Sequence, residues 1–190
     1  RLKDRSRSTS LRNGSPNRPM MDWHRYFTYD ATTGEIRWKI RGRSEFKDQR
    51  TWTKFNKEYA NNVAGYKGPD GYIQVRLNYK LHSAHRIIWE MHNGPIPEGM
   101  RIDHESMDTA NNRLDNLRLA TAIQNSGNSR ARKTNKCGVK GICKHQDGGY
   151  AAYIGIDGKT KYLGLRATPE EAHELYKAAA IERFGEYARF

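Results

Sequence analysis

Apolar residues in this chain come in short alternating runs that are quickly broken by glycine, aspartate or proline. "GEIRWKI" (34–40) alternates with period two behind the turn signal "DATTG", and "DGYIQVRL" (70–77) does so behind "GPDG". Runs of this length specify short strands with one face covered. No apolar run approaches the roughly 18 residues of a membrane span, and no apolar stretch follows the basic start as it would in a signal peptide. The expectation is a cytoplasmic protein with no membrane partner. Its class should be α+β, with one domain or two small ones in 190 residues. Trp23, Trp38, Trp52 and Trp89 read as core or sheet anchors.

The charge narrows the partner. The formal net charge is +13, with a pI near 9.8 and a mean hydropathy of −0.99. A surplus that large on a short chain points to a polyanion. Residues 1–20 form a Ser/Arg/Asn/Pro-rich basic leader, expected to be disordered. Its six basic residues against Asp4 leave most of the surplus on the rest of the chain. Cys137 and Cys143 have no Cys/His pair at zinc-ligand spacing, so they read as reduced thiols.

The segment 79–128 carries the chemistry. "YKLHSAHRIIWEMHNGPIP" begins extended and becomes a short helix, stopped by Asn93-Gly94-Pro95. "GMRIDH" is then a short strand, followed by a polar loop, a returning strand "LRLA" (117–120) and a helix from Ala122. The helix start is marked by a capping box, Thr121 with Gln124. If Asp103, His104 and Asn125 converge, a carboxylate and an amide oxygen suit one divalent metal, Mg²⁺ or Mn²⁺, rather than zinc. A neutral imidazole beside them can take a proton from water. Adjacent strand residues point to opposite faces, so Asp103 and His104 must sit where the strand ends or bulges.

The series "HR.IWE", "G.I..G..IDH" and "NNR.DNLR..T..QN", over residues 84–128, resembles the HNH endonucleases of the homing type found in phages and mobile introns. The resemblance implies a ββα-metal module. It makes Asp103 and Asn125 metal ligands, His104 the general base, and Asn116 the brace of the loop that orients His104. The third motif position is Asn125 where histidine is the commoner residue, a variant of the homing branch. His85, in "AHR", is either a residue supporting the active site from behind or a packed structural histidine. Asn111, Asn112 and Asn128 read as loop or helix residues, or as supports behind the site.

Residues 138–190 form a second unit. Three short strands, "CGVKGICK", "YAAYIGI" and "KTKYLGL", precede a helix capped by Thr168 and Glu171, with Pro169 at its first position and Gly185 at its end. This unit resembles the AP2 DNA-binding domain, whose three-stranded antiparallel sheet enters the major groove with the helix behind it. The resemblance implies an exposed sheet face offering Lys140, Lys144, Tyr153, Lys159, Lys161 and Tyr162 to DNA. Ile142, Tyr153, Gly155 and Tyr162 stand where plant members have arginine or tryptophan, which weakens guanine readout. Between the units, 129–137 is a basic linker with Arg130, Arg132 and Lys133 able to lie along phosphates.

The expected layout is therefore a leader (1–20), a nuclease module (21–128), a linker (129–137) and a DNA-binding unit (138–190). The expected function is metal-dependent hydrolysis of double-stranded DNA, as a nick or a double-strand break, by a monomer or a transient dimer on DNA. In a phage-encoded protein this would take place in the bacterial host cytoplasm. The rival readings are a non-enzymatic DNA-binding regulator with a decayed nuclease module and a junction-selective nuclease.

Overall fold

The computed structural model describes residues 21–131, 134–156 and 158–190. The leader, Arg132, Lys133 and Asp157 lie outside the described residues.

The predicted strands form where the alternation placed them. β1 (Phe27–Asp30) and β2 (Glu35–Trp38) make an antiparallel hairpin with Phe27 opposite Trp38. A helix follows that the sequence did not announce, α1 (Gln49–Glu58), capped by the Asp48 carboxylate. It buries no residue fully. Phe55 packs edge-on against Trp38 of β2, and polar bonds add to this: Trp52 Nε1 and Asn56 Nδ2 both donate to the Arg41 carbonyl, at 2.8 and 2.9 Å. β3 (Tyr66–Lys67), β4 (Ile73–Leu77) and β5 (Lys80–Ser83) form a second antiparallel sheet in that order. Asn78 and Tyr79 both take positive φ in the two-residue turn between β4 and β5, the twist that a tight hairpin requires.

α2 (Ala84–Asn93) follows and ends at Gly94 as expected. Its Ile87 and Ile88 join Phe27, Ile36 and Val75 as the largest fully buried side chains. Each such burial stabilises by about 1.5–3 kcal/mol. These residues belong to one core that also takes in Ile102 and Leu117, which flank the Asp103–Asn116 segment.

β6 (Met100–His104) and β7 (Leu117–Thr121) pair antiparallel, with His104 opposite Leu117. α3 (Ala122–Gly127) then starts on the expected capping box. Thr121 Oγ1 accepts from Gln124 N, and Gln124 Oε1 accepts from Thr121 N. The result is strand, loop, strand, helix, with α3 packed on β6 and β7.

The second unit has β8 (Ile142–Lys144), β9 (Tyr150–Ile156) and β10 (Lys159–Arg166) in the order β10-β9-β8, all antiparallel. α4 (Pro169–Phe184) lies across one face and buries Ala172, Tyr176, Ala180 and Phe184. Asn135 and Cys137 already belong to this unit. Asn135 Nδ2 donates to the Val139 and Ile142 carbonyls, and Cys137 packs beside Ile142.

The two units touch directly. A Cβ on Gly127, at the end of α3, would lie 2.6 Å from Phe184 Cγ, so only glycine admits this approach. Tyr187, just past α4, donates its hydroxyl to the Leu119 carbonyl on β7 at 2.6 Å.

Candidate active site

Asp103 and His104 occupy the last two positions of β6, and both are buried. They stay in regular register with Arg118 and Leu117, and their side chains have different neighbours: Arg118 and Asn128 for Asp103, and Asn112, His85 and Tyr72 for His104. Beyond His104 the chain turns at once, with Met107 N bonded to the His104 carbonyl and Met107 at φ +60°.

His104 Nε2 lies 3.0 Å from Asn112 Oδ1 in a buried contact. An amide oxygen only accepts, so Nε2 carries the proton and Nδ1 keeps its lone pair. Asn112, expected to be a loop or helix residue or a support behind the site, is 2% exposed, and its side chain holds the His104 ring. Asn116 acts one step further back. Its Oδ1 accepts from Ser106 N at 2.9 Å and its Nδ2 donates to the Asn111 carbonyl at 2.7 Å, closing the loop from both sides. The β1–β2 turn supports the same loop. Gly34, at φ +76°, lies so close that a Cβ there would fall 2.6 Å from Arg113 N, and Tyr29 Oη accepts from Leu114 N.

Asp103 makes all its hydrogen bonds through one oxygen. Oδ2 accepts from Arg118 Nε at 3.1 Å and from Asn128 Nδ2 at 2.9 Å. Asn128 also donates to the His104 carbonyl at 2.9 Å. Oδ1 accepts none among the described residues. Asn128, one of whose expected roles was support behind the site, and Arg118, which carried no expectation, are the side chains that hold Asp103. Five asparagines in one segment look alike, and only contact separates them.

Asn125 lies half-buried in α3, one turn before Asn128 and on the same face. The Asn125 side chain makes no hydrogen bond to Asp103 or His104 among the described residues. Asp103 Oδ1 and an amide oxygen are hard donors, of the kind that a hard divalent cation takes together with water and phosphate. Among the described residues no group of three or more His, Cys, Asp or Glu could hold a metal ion, so a cation here would rely on the amide.

Two rings close one side of His104. His85 meets it edge-on with centroids 5.0 Å apart, and Tyr72 lies 5.6 Å from it. His85 is buried, and its Nδ1 has no hydrogen-bond partner among the described residues. Burial, with His104 and Arg86 adding to it, pushes its pKa down to about 3. It is therefore neutral at working pH. Burial and the nearby Asp103 and Asp70 raise the Tyr72 hydroxyl above its usual range.

The expected DNA-contacting residues divide. Directly opposed residues in an antiparallel pair share a face. Lys161 stands opposite Ile154, Lys159 opposite Ile156, and Lys144 opposite Tyr150, and those partners pack on the α4 side. Lys140 lies over the Tyr176 ring of α4 and donates to the Gly127 carbonyl. Burial pushes its pKa down to about 8, with Arg189 adding to it. These four lysines are therefore not on the open face, because the turn lengths set a register that the residue pattern alone did not reveal. Tyr153 and Tyr162 are on it, with ring centroids 5.5 Å apart.

Arg130, Lys136, Lys140 and Lys144 line a cleft of about 710 Å³ together with Tyr153, and among the described residues no Asp or Glu lines it. This cleft lies between the end of α3 and the second sheet. It does not include Asp103 or His104.

Residues 82–126 match a family model described as HNH endonuclease. The chain is 35% identical over 113 residues to Protein 3.8 of Escherichia phage T7, covering 59% of this chain and 93% of that protein. It is 36% identical over 124 residues to an uncharacterized HNH endonuclease of Acanthamoeba polyphaga mimivirus, covering 65% of this chain and 64% of that relative's length. A solved structure of DNA binding and cleavage by the HNH homing endonuclease I-HmuI is similar at a TM-score of 0.37 and 20% identity, covering 78% of this chain and 76% of the other. That likeness is too loose to locate residues by. The matched segment runs from β5 into α3 and encloses Asp103, His104 and Asn116, and through it the chain belongs to the HNH endonuclease family.

Proposed function

We propose that this endonuclease hydrolyses double-stranded DNA with one divalent cation, and that its C-terminal unit positions the duplex. The observation that carries the reading is the buried His104, held at Nε2 by Asn112 and placed next to an Asp103 with one oxygen uncommitted. His104 Nδ1 takes the proton of the attacking water, which is general-base catalysis. Asp103 Oδ1 and the Asn125 amide oxygen would hold the cation, Mg²⁺ or Mn²⁺. When bound, it supplies charge to the phosphate oxygens and the leaving alkoxide. Asn112 fixes the imidazole tautomer, and Asn116 keeps the loop in the shape that places Asn112. Neutral His85 and Tyr72 exclude water from one side of His104.

Arg130, Lys140 and Lys144 in the basic cleft would contact the phosphate backbone. Tyr153 and Tyr162 would contact the duplex from the open sheet face, the AP2-like mode. One such site per chain makes a nick the expected product of a single binding event.

Supercoiled plasmid incubated with the protein and Mn²⁺ or Mg²⁺ tests this reading. Nicked circles should form, EDTA should stop their formation, and His104→Ala should lower the rate by about 10²–10⁴-fold. Strand scission that persists in His104→Ala would remove His104 from the reaction. Scission that persists in EDTA would remove the cation.

A further inference from the structure

Arg118 joins the active site to the second unit. Its Nε donates to Asp103 Oδ2 at 3.1 Å, and its guanidinium carbon lies 4.1 Å from the centroid of the Tyr187 ring. Its Nη1 reaches the Glu186 carbonyl at 3.5 Å. Tyr187 is fixed in turn by its hydroxyl bond to the Leu119 carbonyl, next along β7 from Arg118. The arginine is largely buried, with 18% of its side chain exposed.

We propose that Arg118 is a positioning residue and that Tyr187, from the C-terminal unit, sets the cation affinity of the Asp103 site through it. The proposal rests on the reading of Asp103 as a cation ligand. An arginine beside a metal-binding carboxylate can either orient it or block it. A blocking guanidinium would use its fork to cover both carboxylate oxygens. Here one nitrogen reaches one oxygen, while the rest of the group is engaged by the Tyr187 face and the Glu186 carbonyl. Asn128 bonds the same Oδ2. Two donors on Oδ2 fix the carboxylate plane and leave Oδ1 as the presented ligand atom. Partners of this kind commonly change metal affinity by about 10–100-fold when removed. The ring matters because a planar cation stacks on an aromatic face. An unstacked Arg118 would be free to swing away from Asp103.

The experiment measures Mn²⁺ binding to the full-length protein in the absence of DNA, by titration calorimetry. Tyr187→Ala should weaken binding by about 10-fold or more. Tyr187→Phe keeps the ring and should stay within about 2-fold. Arg118→Lys keeps the charge but loses the fork and the stacking, so it should fall with Tyr187→Ala. It also carries the test if Tyr187→Ala does not fold. Plasmid nicking by these two variants should recover as Mn²⁺ is raised, because the defect lies in affinity. Unchanged or tighter Mn²⁺ binding in Tyr187→Ala and Arg118→Lys would overturn the proposal. Asp103→Asn separates the two levels. If it binds Mn²⁺ like the parent, the cation site itself is misassigned. If it loses binding while Arg118→Lys does not, only the coupling fails.

Discussion

On the proposed reading, Asn112 is the residue on which the chemistry of His104 most directly depends. Its amide oxygen accepts from Nε2 and so holds the ring. Asn112→Ala should lower kcat by about 10–100-fold, the usual cost of losing a partner that orients a histidine. DNA affinity should be nearly unchanged, since Asn112 is buried. Single-turnover cleavage alongside a binding isotherm checks both halves. His85 makes a different prediction at the same scale. Its folded pKa, about 3, lies below the ordinary value near 6.5. Between those values the unfolded chain binds the extra proton and the folded chain does not. Its contribution is therefore complete above about pH 6.5 and is lost as pH falls toward 3, with a limiting slope of about 1.4 kcal/mol per pH unit. Denaturant melts from pH 7 to 4 should show this decline. His85→Phe, which also fills the ring-lined site, should flatten it.

At the scale of elements, α3 and α4 meet through Gly127. Alanine is favoured over glycine inside a helix by about 1 kcal/mol. Here the new methyl would fall 2.6 and 2.8 Å from Phe184 Cγ and Cβ, and side-chain rotation does not move Cβ. Overpacking of this kind costs about 1–3 kcal/mol. Gly127→Ala should therefore be destabilising by about 1 kcal/mol net, read as a drop of a few degrees in Tm in a thermal melt. Elements that announce their own ends were legible in the sequence. α4 has Thr168, Pro169 and Glu171 at one end and Gly185 at the other, and α3 has its Thr121–Gln124 box. α1 was not legible, because it buries no residue fully and is held in part by side-chain bonds to the Arg41 carbonyl. Sheet faces were legible only as alternation. Which face α4 covers depends on register, and β10 also shifts register between Tyr162 and Gly164. In the site, the strand end that carries Asp103-His104 could be read from the sequence. The division of labour among Asn112, Asn116, Asn125 and Asn128 depends on how the loop folds back, and no residue type signals it.

Across the whole molecule, the positive charge is unevenly spread. Residues 138–190 hold eight lysines and arginines against seven aspartates and glutamates, so nearly all of the +13 lies before them. The C-terminal unit is thus a poor source of general attraction for phosphate, and its open face presents tyrosines. Salt separates the two contributions. Replacing Arg130, Lys140 and Lys144 together by alanine should make the slope of log K against log salt shallower, by about one for each phosphate no longer neutralised. Tyr153→Ala should weaken binding at every salt concentration and leave the slope alone. Fluorescence anisotropy on a duplex between about 50 and 200 mM salt reads both.

The direct packing of Phe184 on Gly127 and of Tyr187 on Leu119 has a consequence for the duplex. The two units are joined by side-chain packing as well as by the chain that connects them. On the proposed reading, the cut bond and the groove met by the second sheet must then face the protein at one helical phase. Inserting about five base pairs between them turns the bond to the far side of the duplex, and inserting about ten brings it back. A target would be recognised by its phasing as well as by its sequence.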